Sequence, residues 1–214
     1  MDGQSDGSDM TAGARADDST RAEEELLWAV AAAMQRLNRH ASMAQIAREA
    51  GLSPAALYRR YPTPNVLRAG LATAFYDRLL AHTERLPGLP VEQRLTHFLR
   101  TVGLHLALSH AILPHQFGQM ATAEQRERLY ALVAELLEDG RQAGVLAPDV
   151  TLSDVAAAVW ALRGIIETTD PIAPDAWERH LDVIVAGLQS PRLTFRRPPL
   201  DAEQLDRVIH RTPD

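Results

Sequence analysis

The chain has 214 residues, 46% of them hydrophobic and 23% charged, which suffices for one core, or for one core and a small appended domain. No apolar run reaches the roughly 18 to 20 residues that cross a bilayer, and the acidic N-terminus is unlike a secretory signal, so we expect a cytoplasmic protein without membrane contact. The absence of cysteine excludes disulfide frameworks, thiolate zinc sites and cysteine nucleophiles.

The net charge of −6 is unevenly distributed along the chain. Residues 1–30 carry eight acidic residues and two arginines, for −6, whereas residues 36–72 carry six arginines against Glu49, for +5. An acidic protein is a poor partner for nucleic acid, but a local basic segment leaves that function open.

The periodicity of apolar residues predicts an all-α protein. Residues 1–20 are rich in Gly, Ser and Asp and predict a disordered tail. We predict helices at roughly 22–38, 43–50, 54–60, 64–85, 91–110, 122–143, 152–168 and 175–189, with short ones near 114–119 and 201–210. After the tail, these helices form a small domain at 21–70, a larger one at 71–190, and an arm at 191–214 that begins with an irregular stretch.

Residues 42–63 predict two short helices joined by a tight turn. Ser42 and Gln45 have the spacing of a capping box, so the first helix begins after Ser42. Gly51 ends that helix in the left-handed conformation, and Ser53-Pro54 starts the second one, with Ser as the N-cap and Pro at the first helical position. Such a pair is a helix-turn-helix, whose second helix enters the major groove of DNA.

The second helix of this pair carries side chains suited to DNA. An arginine can donate two hydrogen bonds to guanine or contact phosphate, and a tyrosine hydroxyl suits phosphate, so Tyr58, Arg59 and Arg60 fit a groove. Small Ala55 allows close approach. On an arbitrary helix these residues would more often form a solvated surface, but the preceding caps and turn favour DNA binding.

The pattern S-M-x-x-I-A-x-x-A-G-L-S-x-x-x-L-Y-x-x-Y-P-T at residues 42–63 resembles the N-terminal domain of the tetracycline-repressor (TetR) family of bacterial transcription regulators. The resemblance covers roughly residues 22–70. It implies a three-helix DNA-binding head, a long fourth helix, and a helical domain that dimerises and holds a small ligand. The DNA-binding residues that we predict are Ser42, Ser53, Ala55, Tyr58, Arg59, Arg60 and Tyr61.

Within this set, the resemblance implies phosphate contacts from Ser42 and Tyr58 and base-facing positions at Ala55 and Arg59. Arg60 and Tyr61 stand where the family usually has a His-Phe pair. Three residues depart from the family pattern and imply a weaker phosphate grip, since Ala55 replaces Gly, Ala56 replaces Thr, and Pro64 replaces Lys. We expect Arg36, Arg39 or Arg68 to compensate in part.

The helix at 91–110 is apolar nearly all round and predicts a central, buried element that could line a cavity. The resemblance implies a ligand pocket in this domain, near which we place Phe98, His105, Phe117, Met120, Trp160 and Arg163, although each alone also fits a core position. Such a pocket suits an apolar or amphiphilic small molecule, including an anionic one. We expect no metal and no cofactor, because His105 and His110 are five residues apart and His115 follows the helix.

Residues 152–189 predict a pair of helices that allows close helix packing. Ala157, Ala161 and Gly164 fall on one helical face, and the resemblance implies a four-helix homodimer interface built from both helices. We assign to it Ala157, Ala161, Gly164, Trp177, Leu181, Ile184 and Leu188. An intramolecular core is the alternative.

The function that we predict is a ligand-responsive repressor that binds a palindromic operator as a homodimer and is released by a small molecule. A helical small-molecule-binding or adaptor protein that has lost DNA binding is one alternative. An all-α enzyme is the other, and the sequence has no Gly-rich phosphate loop, GxSxG or HExxH motif to support it.

Overall fold

The computed structural model of the chain describes residues 25–34, 36–37, 41–109 and 121–209, and every regular element within these ranges is a helix. The all-α prediction is therefore confirmed for them. The predicted tail, the short helix near 114–119, and the residues Arg39, His110, His115, Phe117 and Met120 lie outside the described ranges. None of the described helices is long and apolar enough to cross a membrane.

The chain divides between Ala74 and Phe75 into two compact units. In the first unit, helix α1 covers residues 25–34, α2 covers Met43–Glu49 and α3 covers Pro54–Arg60. Helix α4, Pro64–Thr83, begins in this unit. Within each helix the buried side chains are three or four residues apart, and together they form the core of the unit. They include Leu27, Val30, Met43, Ile46, Ala47, Leu57, Leu67 and Leu71.

The second unit contains the end of α4 and the helices that follow it. A 3₁₀ turn at Leu86–Gly88, which the sequence did not predict, leads to α5 (Val91–Ser109) and α6 (Ala123–Gln142). Then come α7 (Leu152–Thr169), α8 (Ala176–Leu188) and α9 (Ala202–Ile209). Asp154 accepts hydrogen bonds from the N–H and the hydroxyl of Thr151, at 2.8 and 2.7 Å, and so secures the start of α7.

Helix α5 is the centre of the second unit, because α6, α7 and α8 all pack against it. Its buried side chains lie on one broad face and include Leu95, Phe98, Leu99, Val102 and Leu106. The expectation that α5 is buried all round needs correction, since Leu104 and Leu108 are 48% and 49% exposed. These two leucines are four residues apart and share the side of the helix that its neighbours leave open.

Trp177 joins α8 to α5. A Cβ atom added to Gly103 would overlap the six-membered ring of Trp177, so the glycine is what lets the indole lie directly on α5. Arg100 of α5 adds an ion pair with Glu178 of α8 at 2.7 Å.

The burial of α8 corrects part of the predicted dimer interface. Trp177 is 2% exposed, and Leu181 and Leu188 are also buried within the single chain, so these three residues belong to its own core. Ile184 is half-buried. Ala157, Ala161 and Gly164 of α7 are exposed and remain available to a partner.

Candidate nucleic-acid interface and ligand cavity

The turn between α2 and α3 is built by the capping residues that the sequence indicated. The Ser42 N–H donates to Oε1 of Gln45 at 2.8 Å, and the Gln45 N–H donates to the Ser42 hydroxyl at 3.3 Å. Gly51 has φ +74°, a conformation that favours glycine, and the amides of Gly51 and Leu52 close back onto α2. These bonds run to the carbonyls of Arg48 and Ala47 at 3.1 and 2.8 Å, which is a Schellman ending.

Helix α3 presents polar and small side chains outward and one leucine inward. The Ser53 hydroxyl accepts from the Ala56 N–H at 3.2 Å, and Leu57 is buried below the helix. Tyr58 is 45% exposed, and Ala55, Arg59 and Arg60 are exposed as well. Ala55 and Arg59 lie one turn apart, so the small side chain and the guanidinium share one exposed side of the helix.

Tyr61 is the exception among the predicted DNA-binding residues. Its side chain is 6% exposed and packs so close to α4 that a Cβ on Gly70 would lie 2.9 Å from its Cε1 atom. The position directly after α3 therefore fastens that helix to α4, and Tyr61 has no surface to offer to DNA. Ser42 and Ser53 are exposed at their helix starts.

An ion pair holds one arginine of the basic 36–72 segment against the acidic residue of that segment. Arg36 Nε lies 2.6 Å from Oε1 of Glu49, the single acidic residue of the 36–72 segment. Both side chains are more than a third exposed, so the pair contributes little to stability. It does occupy Arg36, which we expected to help hold phosphate; Arg48, Arg59, Arg60 and Arg68 are the other arginines in the described part of this segment.

The second unit contains a cavity of about 190 Å³. Five helices contribute to its lining, which is mostly apolar and aromatic and includes Phe75, Tyr76 and Leu79 of α4, Phe98, Val102 and Leu106 of α5, Arg126, Leu129, Tyr130 and Val133 of α6, Leu152, Val155, Ala156, Val159, Trp160 and Arg163 of α7, and Val208 and Ile209 of α9. A concave apolar space with a few polar groups is the usual form of a small-molecule site.

Three of the six predicted pocket residues line this cavity, namely Phe98, Trp160 and Arg163. His105 does not, because its ring packs edge-on against Phe75 at 5.2 Å and its Nδ1 lies 2.7 Å from the Thr101 carbonyl oxygen. Burial lowers the pKa of His105. The histidine thus supports the aromatic wall from behind.

The cavity also has polar groups that the sequence analysis did not single out. Burial raises the pKa of Tyr76 and of Tyr130, so both phenols keep their protons and can donate hydrogen bonds. The charge of Arg126 lowers both pKa values in part, and all three side chains line the same cavity. Arg126 and Tyr130 lie four residues apart on α6, and that spacing was the signal that could have revealed them.

Arg163 is buried at the cavity, at 6% exposure, and its Nε donates to Oε1 of Glu167 at 2.7 Å. A buried guanidinium is costly unless a carboxylate pairs with it, so Glu167 is what allows an arginine in this wall. In the described part of the chain, Arg126 donates to the Ala121 carbonyl oxygen and forms no ion pair. Arg126 is therefore a cation of the cavity that no described carboxylate pairs with directly, and it can pair with a bound anion.

One side of α7 is a surface of small residues. Ala157, Trp160, Ala161 and Gly164 are exposed along it, and a Cβ on Gly164 would meet no atom within 4 Å. Val183 on α8 is exposed as well. We call Ala157, Ala161 and Gly164 the small-residue face, and Trp160 lies at its edge.

Comparison with known proteins finds one similarity for most of the second unit and one for the fold. Residues 91–190 match the family model described as "Transcriptional regulator SbtR-like, C-terminal domain", a TetR C-terminal domain. The fold is similar to the crystal structure of the TetR transcriptional regulator SCO0520 from Streptomyces coelicolor, with a TM-score of 0.61 and 24% identity over 78% of this chain and 98% of that one. No curated protein matches the chain.

Proposed function

We propose that the chain is a TetR-family transcription regulator, a cytoplasmic repressor that binds a palindromic operator as a homodimer and releases it when a small molecule enters the cavity. The observation that carries this proposal is helix α3, a capped helix in a basic segment that exposes Tyr58, Arg59 and Arg60 beside Ala55. The family is one of regulators and not of enzymes, so the enzyme alternative has no support.

In this proposal, α3 enters the major groove. Arg59 reads a base edge, with Ala55 one turn away giving the backbone room to approach. Ser42, at the start of α2, and Tyr58 hold phosphates, and Arg60 adds positive charge. Ser53 acts through its cap, which fixes the start of α3. Tyr61 acts indirectly by fastening α3 to α4.

A gel shift with duplexes that flank the protein's own gene tests DNA binding. We expect a discrete complex that survives excess unrelated duplex at fixed salt, because phosphate contacts alone give binding that does not distinguish sequences. The unrelated duplex at equal length is the control. No discrete complex on any flanking duplex at micromolar protein would favour the adaptor alternative.

The proposed homodimer uses the small-residue face of α7. Exposed alanines and a glycine allow a second helix to approach closely, and Trp160 supplies apolar area at the edge of the same face. One head reads only a few base pairs, whereas two heads related by a two-fold axis read a palindrome with half-sites about one DNA turn, or a multiple of it, apart.

The proposed effector has an apolar body and an acidic group. Phe75, Phe98 and Leu106 supply apolar wall, while Arg126 with its two neighbouring phenols offers a positive charge and O–H donors. A carboxylate at Arg126 would gain charge-assisted hydrogen bonds that a neutral amide cannot match.

Matched ligands test this chemistry by thermal shift, because a ligand that binds only the folded state raises the midpoint of unfolding. We expect 4-phenylbutanoate to raise the midpoint more than 4-phenylbutanamide, and Arg126→Gln to remove the difference. The control is Arg128→Gln, which alters an exposed arginine of the same helix that pairs with Glu84 at 3.2 Å. Equal shifts by acid and amide in the unaltered protein would refute the role of Arg126.

A further inference from the structure

Helix α9 lies beyond the segment that matches the family model, yet it belongs to the cavity. The matched segment ends at residue 190, and α9 begins at Ala202. Val208 and Ile209, at the end of α9, line the cavity, and Leu205, one turn earlier, is 7% exposed. The spacing of these three residues places them on one face of the helix, which is therefore the face turned toward the second unit.

Helix α9 is capped at its N-terminus but buries little apolar area. Asp201 and Gln204 form a capping pair, with the Asp201 N–H donating to Oε1 of Gln204 at 3.1 Å and the Gln204 N–H donating to Oδ1 of Asp201 at 2.8 Å. The connecting residues 191–201 have no regular structure and are almost all exposed. Leu205 is the single residue of α9 that is buried. Since Leu205 is buried while Val208 and Ile209 are only partly covered, α9 buries little apolar area, and such a helix opens more easily than the core helices around it.

Val208 and Ile209 line the cavity alongside residues of α4 to α7, so α9 covers part of this space and does not fill it. It also reaches the polar end of the cavity. Burial is the main cause of the raised pKa of Tyr130, and the charge of Asp206 on α9 raises it further. Arg126 and Tyr130 line the cavity together with Val208 and Ile209, so the polar groups of the cavity and α9 border the same space.

We propose that α9 is a detachable wall of the effector cavity, which must open for the effector to enter or leave and whose Val208 and Ile209 then close over it. This inference rests on the proposed effector site. In this proposal the opening of α9 limits the rate at which the effector exchanges. Helix α9 also supplies part of the contact with the effector, and α4 to α7 supply the rest of the wall.

Stopped-flow fluorescence with 1-anilinonaphthalene-8-sulfonate tests the opening step. This anionic aromatic probe has the apolar body and acidic group that the cavity suits. We expect Leu205→Asp to detach α9 and to raise both the association and the dissociation rate constants at least about tenfold, because opening then no longer limits exchange. The matched control is Glu203→Gln, on the exposed side of α9, which should exchange the probe at the rate of the unaltered protein.

Thiol protection tests the contact independently and does not require a detached helix. Since the chain has no cysteine, Val208→Cys and Glu203→Cys each carry a single thiol. We expect saturating probe to slow the reaction of the first thiol with 5,5′-dithiobis(2-nitrobenzoate) several-fold and to leave the second unchanged.

The outcomes separate this inference from the proposed regulatory function. Faster exchange in Leu205→Asp together with protection at position 208 supports a detachable wall, even if the probe leaves operator affinity unchanged, a result that would count against the cavity as a regulatory site. Protection without faster exchange overturns the inference, because α9 would then be a fixed wall. Lack of protection at position 208, or lack of saturable probe binding to the unaltered protein, overturns it as well.

Discussion

Replacing Gly164 by arginine separates folding of the chain from assembly of the proposed homodimer. A Cβ at this position meets no atom within 4 Å, so the single chain has room for a side chain. The exchange also removes a helical glycine, which favours the helix by up to about 1 kcal/mol. The folded chain should therefore tolerate the substitution.

The cost appears when two chains meet at the small-residue face. A long charged side chain there would hold the helices apart or lie buried without a partner, and an uncompensated buried charge costs about 3 to 5 kcal/mol. At about 1.4 kcal/mol for each factor of ten, dimerisation weakens by roughly two to three and a half orders of magnitude. Operator affinity should fall by a similar factor, while non-specific affinity, which depends on phosphate contacts, should change little.

Light scattering at micromolar concentration and gel shifts on a palindromic operator give the two readouts. The control is Gly88→Arg, an equally open glycine of the second unit that lies outside the small-residue face. We expect Gly88→Arg to remain dimeric and Gly164→Arg to be a folded monomer by circular dichroism. A Gly164→Arg protein that stays dimeric and binds the operator normally would refute the interface, as would an unaltered protein that is monomeric at this concentration.

Three further predictions concern the recognition helix, the core and pH. Arg59→Ala should cost about 1 to 3 kcal/mol of operator affinity and relax preference at one base pair, whereas Tyr58→Phe should weaken all duplexes alike, as measured by gel shifts on single-base variants. Trp177→Ala should lower the free energy of unfolding by about 3 to 5 kcal/mol in urea titrations, because it leaves a cavity where the indole packs against Gly103. Burial lowers the pKa of His105, so the unfolded chain takes up a proton before the folded chain does. The free energy of unfolding should then fall as the pH drops below about 6.5, the ordinary pKa of histidine, and His105→Gln should flatten this dependence.

The features predicted best from the sequence are those decided by residues close together in the chain. The capping pair Ser42 and Gln45 spans three residues, and Ser53 with Pro54 likewise marks the start of α3, so the predicted range 54–60 coincides with the helix. A cap needs only the chemistry of its own turn, and that chemistry can be read directly from the sequence.

The direction in which a side chain points could not be predicted as well. Trp177 and Ala157 both fitted a helix interface, but the indole turned into the chain because Gly103, more than seventy residues earlier, leaves a space on α5. Tyr61 was assigned to DNA because of its neighbours in the sequence, and it is buried because of Gly70 on the next helix. In both cases the deciding partner is a glycine on another helix, which carries no pattern of its own.

The cavity shows the same limit more strongly, because its lining residues run from Phe75 to Ile209. Its aromatic side chains were recognisable as a type, and Phe98 and Trp160 were placed correctly. Val208 and Ile209 were not, since a short helix after an irregular arm gives no sign of what it covers. Their contribution depends on where the arm brings α9, and no local pattern specifies that path.

Helix α4 explains how one chain can connect the two proposed activities. It runs without a break from Pro64 to Thr83, and it begins three residues after Tyr61, which packs the end of α3 against it. Phe75, Tyr76 and Leu79 of this helix line the cavity. A ligand shifts an equilibrium only as far as it binds one state better than the other, so an effector regulates DNA binding only if it favours one position of these side chains. The aromatic packing of Phe75 with Tyr76 and His105, at 5.4 and 5.2 Å, ties that position to α4 and α5 together. This coupling is reciprocal. An operator that favours the DNA-binding position of α4 must lower the affinity for the effector by the same factor by which the effector lowers the affinity for the operator.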